Sequence, residues 1–263
     1  MFQKADLSVV MQRVYHQGVA LDPKDVEALR REKYGNNAAA DMTADLARLR
    51  KGEPLAYVIG NIPFLGLTID LFSHPLIPRP ETEWWVEELA SHIGDKQFKV
   101  LDLCAGSGAI GLALLKLCPN VQVSFGELME EHDAVIKKNI KDNGLDASRA
   151  DVRSGDLFTP FTGTTFDIIA TNPPYIPSIR SLDEGVTRYE PSEALFAGTD
   201  GMDVIRRICA EAPQHLKEKG ELWMECDISN IEPAAHLAIE AGASYTKIRT
   251  DQYQRPRLLV AYY

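Results

Sequence analysis

From residue 80 onward, short apolar runs alternate with amphipathic stretches, and this alternation constrains the fold more than any other feature of the chain. Residues 99–103, 121–127, 152–154, 166–171, 220–225, 245–249 and 257–262 read as strands, and residues 82–93, 109–117, 129–143, 204–212 and 229–240 read as helices. Strands regularly separated by helices imply an α/β fold with a doubly wound, mostly parallel sheet. In such sheets the ligand site lies beyond the strand C-termini.

The first third of the chain is different. Apolar residues recur at helical spacing at Leu7, Val10, Met11 and Val14, then at Val26, Leu29 and Tyr34, then at Leu46 and Leu49, which predicts a small helical bundle over residues 1–55. Asp22-Pro23 is a helix start, with a side-chain acceptor ahead of a proline at the first helical position. Residues 56–77 are apolar but broken by Gly60, Pro63 and Gly66, and predict a β-hairpin linker. Residues 78–263 form the α/β domain.

Three strand ends carry polar groups. The first runs through Asp102 into Cys104-Ala105-Gly106-Ser107-Gly108-Ala109-Ile110-Gly111 and on into a helix. Glycines there let a ligand approach the backbone, and the helix start offers free N–H groups. Gly106, Gly108 and Gly111 also satisfy GxGxxG, and an acid, Glu127, ends the second strand, where it can accept hydrogen bonds from ribose hydroxyls. Loop and acid suit NAD and S-adenosylmethionine equally. The third strand ends at Gly155-Asp156-Leu157, where a carboxylate would meet an adenine amino group.

The fourth strand ends in Asn172-Pro173-Pro174-Tyr175. Prolines hold the preceding residues extended and offer carbonyls without competing N–H donors. Asn172 adds a side-chain carbonyl and Tyr175 an aromatic face, so the segment suits a planar NH2 group. A base amine and a side-chain amide both qualify.

Together the Asp-Leu-x-x-Gly-x-Gly loop, the two acids and Asn-Pro-Pro-Tyr resemble an S-adenosylmethionine-dependent amino methyltransferase. Residues 53–60 (EPLAYVIG), 77–83 (IPRPETE) and 188–198 (RYEPSEALFAG) narrow the resemblance to the release factor glutamine N5-methyltransferases, over nearly the whole chain. The resemblance implies a seven-stranded Rossmann-like domain with an N-terminal helical domain that recognises substrate. It implies methylation of the Gly-Gly-Gln glutamine of class I peptide-chain release factors, with S-adenosylhomocysteine as product. It further implies cofactor contacts at Asp102, Gly106, Gly108, Glu127, Asp156, Leu157 and Asn172, and substrate contacts at Asn172, Pro173, Pro174 and Tyr175, with Asn172, Pro173 and Tyr175 catalytic. Glu225-Cys226-Asp227 and Asn230 depart from the family pattern of Glu-His-Gly with a later Gln.

Other residues have plainer readings. Glu81 and Glu83 suit a helix N-terminus, Trp84 and Trp85 suit helix packing, and Arg79 and Glu81 are also candidates to close the pocket. Residues 127–133 read as a solvated helix start apart from Glu127. The four cysteines and six histidines lack metal-ligand spacing, so no metal is expected. A net charge of −10 argues against direct nucleic-acid binding, although a methyltransferase acting on an exocyclic base amine is the alternative reading. No apolar stretch is long enough to span a bilayer and the start lacks a signal-peptide block, so a cytoplasmic location is expected; separately, a monomer is the preferred oligomeric state.

Overall fold

A computed structural model describes residues 21–263. The predicted helical positions at Leu7, Val10, Met11 and Val14 lie outside that range. Helix α1 (Pro23–Tyr34) starts as expected, with Asp22 accepting the Lys24 N–H and Gly35 closing the helix at φ 57°. Helices α2 (Thr43–Arg50) and α3 (Leu55–Ile59) follow. Leu29, Met42, Leu55 and Val58 form a small core of their own.

Helix α3 corrects the expected linker, because residues 55–59 are helical and the hairpin is confined to β1 (Asn61–Phe64) and β2 (Leu67–Asp70). Pro54 precedes the helix, and Gly60 at φ 96° closes it with an N–H bond to the Ala56 carbonyl. Five apolar residues are too short a run for periodicity to distinguish helix from strand. The hairpin turns at Leu65 and Gly66, both at positive φ. It is pinned to the α/β domain by Asn139 and Asn143, whose carbonyls accept the Asp70 and Thr68 N–H groups at 2.7 and 2.9 Å.

The large sheet has seven strands: β3 (Lys99–Leu103), β4 (Gln122–Glu127), β5 (Ala150–Ser154), β6 (Phe166–Thr171), β7 (Leu216–Glu225), β8 (Tyr245–Thr250) and β9 (Pro256–Tyr262). Their order is β5-β4-β3-β6-β7-β9-β8, parallel except that β9 runs antiparallel to both neighbours. Helices α4 (Pro80–Ile93), α5 (Ala109–Leu117) and α6 (Glu131–Asp142) supply the core on one face. Helices α9 (Asp203–His215) and α10 (Ile231–Glu240) supply it on the other. Two short helices, α7 (Glu184–Tyr189) and α8 (Ser192–Leu195), lie between β6 and α9. The chain reverses its winding between β3 and β6, and in a sheet of this kind a ligand crevice opens at that switch point.

Gly111 shows why α5 sits so close to the sheet. A Cβ there would lie 2.3 Å from Phe125 Cε1 and 2.8 Å from Val123 Cγ1, so only glycine permits this approach. The last glycine of the GxGxxG spacing therefore serves helix-to-sheet packing.

Candidate active site

A cleft lies over the C-terminal ends of β3, β4, β5 and β6. Gly106, Glu127, Asp156, Leu157, Asn172 and Pro174 all line it, so residues from four strand ends meet around one space. Asp102, Gly108, Pro173 and Tyr175 are not among its lining residues.

Each placement has a local cause. Gly106 takes φ 55°, and a Cβ there would have Pro75 as its nearest contact at 3.9 Å, so its backbone faces open space. Gly108, at φ 80°, caps α5 and is enclosed, because a Cβ would lie 3.2 Å from Ile136. Asp102 is fully buried beneath the loop and accepts the Gly111 N–H at 2.8 Å, which ties the start of α5 to β3. Burial pushes its carboxyl pKa well up, and nearby Glu127 adds to the rise, although the Gly111 bond opposes it.

Glu127 is buried at the end of β4. Its carboxylate accepts the Gly106 N–H at 2.7 Å and the Met129 N–H at 2.9 Å, so it shapes the glycine loop while lining the cleft. Each carboxylate oxygen retains a second lone pair for a ligand. Asp156, expected as an acceptor for an adenine amine, is exposed and held by Arg207 of α9 through bonds of 3.0 and 2.8 Å. Leu157 takes φ 46°, unusual for a branched side chain, and contributes an apolar wall.

At the end of β6, Asn172 Nδ2 donates to Thr82 Oγ1 at 3.3 Å. Thr82 and Trp85 of α4 donate to Glu225 Oε2 at 2.7 and 2.8 Å, and the Tyr175 hydroxyl donates to Glu225 Oε1 at 3.3 Å. Tyr175 thus directs its hydroxyl into the protein, away from the role of an exposed stacking face. Burial, and then the neighbouring Glu225, push its phenol pKa up. Burial also raises the Glu225 pKa, against the hydrogen bonds from Trp85 and Thr82.

The two blocks that narrowed the sequence resemblance meet in space. Glu190 accepts from Arg79 at 2.6 Å and from the Ile77 N–H at 3.1 Å, which brings the α7–α8 segment against the start of α4. Glu193 and Ala194 of α8 then reach the cleft wall. Glu81 pairs with Arg255 at 2.7 Å and Glu83 accepts the Leu65 N–H, so neither acid is spent on the helix terminus alone. Trp85 is fully buried and Trp84 half-buried.

Sequence reasoning missed several lining residues. His132 is buried, lines the cleft and bonds Ser73 at 2.7 Å, in a stretch read as solvated. Cys104, Leu128, Val204 and Arg207 also face the space. Spacing could have marked His132, which lies one helical turn before Val135 and Ile136, in the repeat that continues at Asn139 and Ile140. Among the described residues no group of three or more His, Cys, Asp or Glu side chains is placed to hold a metal ion. No described helix is long and apolar enough to cross a membrane.

The comparisons with known proteins agree with this geometry. The family model for the methyltransferase small domain matches residues 72–186. A release factor glutamine methyltransferase of Geobacter sulfurreducens is 39% identical over 199 residues, covering 75% of this chain and 69% of that protein. The chain belongs to the release factor glutamine methyltransferase family. A Pseudomonas aeruginosa member is 42% identical over 181 residues, covering 68% of this chain and 65% of its own length, just under two thirds. Among solved structures, the T. thermophilus 16S rRNA N2 G1207 methyltransferase superposes with a TM-score of 0.54 at 20% identity, over 77% of this chain and 49% of that one. That last likeness speaks for the fold alone.

Proposed function

We propose that this protein transfers a methyl group from S-adenosylmethionine to the side-chain amide nitrogen of a glutamine in the Gly-Gly-Gln motif of class I peptide-chain release factors. The observation that carries the reading is that Asn172 and Pro174 line the same cleft as Gly106, Glu127 and Asp156. A site for an NH2 group thereby adjoins a site for a nucleoside. Family membership supports the choice of a protein glutamine over a base amine, and so does the net charge of −10.

The residues fit the cofactor by the chemistry of their donors and acceptors. Glu127 would accept the ribose hydroxyls, and the loop at Gly106 would admit the methionine end. Leu157 would flank the adenine, with Asp156 at its amine. Asp102 and Gly108 would act indirectly, by holding the loop and the start of α5. When bound, S-adenosylmethionine supplies an electrophilic methyl group.

The protein's task is to make a carboxamide nitrogen nucleophilic. That nitrogen's lone pair is delocalised into its carbonyl, so the site must favour charge building on nitrogen. Asn172 Oδ1 and the Pro173 carbonyl would each accept one amide N–H, orienting the lone pair and stabilising that charge without a strong general base. Pro174 would close the wall beside them, and Tyr175 would hold the segment through Glu225. Residues 1–55 would recognise the release factor, residues 56–77 would join the two parts, and residues 78–263 would perform the chemistry, in a cytoplasmic monomer that needs no nucleic acid.

Single-turnover methylation by Asn172→Ala tests the role of the acceptor. The rate is expected to fall about 10²-fold or more with cofactor affinity kept; a rate equal to the parent's refutes it.

A further inference from the structure

Asn172 could present either end of its amide to a substrate, and only one end accepts hydrogen bonds. We propose that Thr82 and Glu225 are positioning residues that fix the amide of Asn172 with its oxygen toward the substrate. This inference rests on the reading of Asn172 as the acceptor for the substrate amide.

Glu225 sits at the end of β7 with 1% of its surface exposed, and Oε2 lies 2.8 Å from the Trp85 indole nitrogen. An indole N–H only donates, so Oε2 is an acceptor. The same oxygen lies 2.7 Å from Thr82 Oγ1, and Thr82 is 3% exposed. The threonine hydroxyl has a single proton, and with Glu225 ionised, the state that its hydrogen bonds from Trp85 and Thr82 and the nearby Arg257 favour, that proton is spent on the carboxylate. Thr82 Oγ1 therefore meets Asn172 as an acceptor, and the atom of Asn172 that faces it at 3.3 Å must be Nδ2. Because the amide is planar, Oδ1 then lies on the other arm. The Tyr175 hydroxyl at 3.3 Å from Oε1 engages the second carboxylate oxygen and ties the same segment from its far side.

The direction of each bond thus passes from Trp85 through Glu225 and Thr82 to Asn172. If the threonine proton were free, it could donate to Asn172 Oδ1, and the amide could turn its NH2 toward the substrate. Two NH2 groups would then face each other, and the acceptor would be lost without any change in shape. These contacts join residues 143 and 90 positions apart in the chain, so the arrangement belongs to the fold and to no local motif.

A double-mutant cycle with Thr82→Val, Thr82→Ser and Asn172→Ala tests the proposal, read by single-turnover rate, substrate KM and S-adenosylmethionine Kd. Valine keeps the shape and removes the hydroxyl, whereas serine keeps the hydroxyl. We expect Thr82→Val to lower the rate about ten-fold with Kd unchanged and Thr82→Ser to restore it. In the Asn172→Ala background Thr82→Val should have no further effect. The same loss in both backgrounds, a parent-like rate for Thr82→Val, or a loss confined to Kd would overturn it. A parent-like rate for Asn172→Ala would instead overturn the underlying reading of the acceptor. Should Thr82→Val not fold, Thr82→Ala enters the same cycle, since it removes the hydroxyl without adding bulk beside Glu225. It too should lower the rate about ten-fold only while Asn172 is present, and an effect that persists in Asn172→Ala would count against the proposal.

Discussion

Replacing Gly111 by alanine separates the packing role of the glycine-rich loop from its ligand role. A Cβ at residue 111 would lie 2.3 Å from Phe125 Cε1 and 2.8 Å from Phe125 Cζ and Val123 Cγ1. Non-bonded carbons settle at about 3.5–4.0 Å, so the overlap exceeds about 1 Å. Phe125 is fully buried, in a close-packed interior where a ring moves only at the expense of its neighbours. Helix α5 would have to lift off β4, stretching the 2.8 Å bond from the Gly111 N–H to Asp102. Overpacking of this kind costs about 1–3 kcal/mol, and a strained buried hydrogen bond adds about 0.5–1.5 kcal/mol. Alanine's better helix propensity returns at most about 1 kcal/mol. The net loss is about 2 kcal/mol, or about 4–8 °C in Tm for a domain of this size. Urea unfolding followed by circular dichroism, with the slope m unchanged, measures it directly. A Gly111→Ala protein as stable as the parent, or more stable, would refute the packing argument.

Gly106→Ala should behave differently, losing about 1 kcal/mol through its φ of 55° while its new Cβ narrows the cleft, so isothermal titration should show weakened cofactor binding. Glu127→Ala removes the acceptor of the Gly106 and Met129 N–H groups, and cofactor Kd should rise about ten-fold or more; an unchanged Kd contradicts the role given to that carboxylate. Arg79→Ala removes the charged partner at Glu190 Oε1, on a side chain that is fully buried, and should cost about 2 kcal/mol, less than for a fully buried pair because Arg79 is 25% exposed; chemical denaturation checks this. Asp102 gives a pH dependence. Its folded pKa is raised, so the native state keeps a proton that the unfolded chain releases near pH 4, and stability falls as pH rises above that value. The parent should therefore lose stability relative to Asp102→Asn from about pH 4 upward, and a difference flat with pH would contradict the shift.

The sequence made the sheet legible because buried parallel strands are continuous apolar runs ending in polar residues at one edge of the fold. Glu127 and Asn172 each end or follow such a run, so their convergence could be anticipated from the winding rule, whereas Asp156 follows the mostly polar edge strand β5. Residues 56–59 read as part of the hairpin although they are helical, because one and a half helical turns leave no periodicity to separate helix from strand. The pairing of Asp156 with Arg207 and the chain from Trp85 to Asn172 were equally hidden. They depend on which face of α4 and α9 meets which strand end, and that is decided by packing across more than fifty residues of chain. His132 was obscured by acidic neighbours that are themselves partly exposed, although its own side chain turns inward.

The acceptor proposed at Asn172 serves a protein glutamine. Incubation with methyl-labelled S-adenosylmethionine and a class I release factor, its Gly-Gly-Gln glutamine-to-alanine variant, duplex DNA or RNA tests this most directly. Stoichiometric label is expected on the release factor, located by peptide mass spectrometry on the glutamine, and none on the variant or the nucleic acids. Label on a nucleic acid, or undiminished label on the glutamine-to-alanine variant, would contradict it.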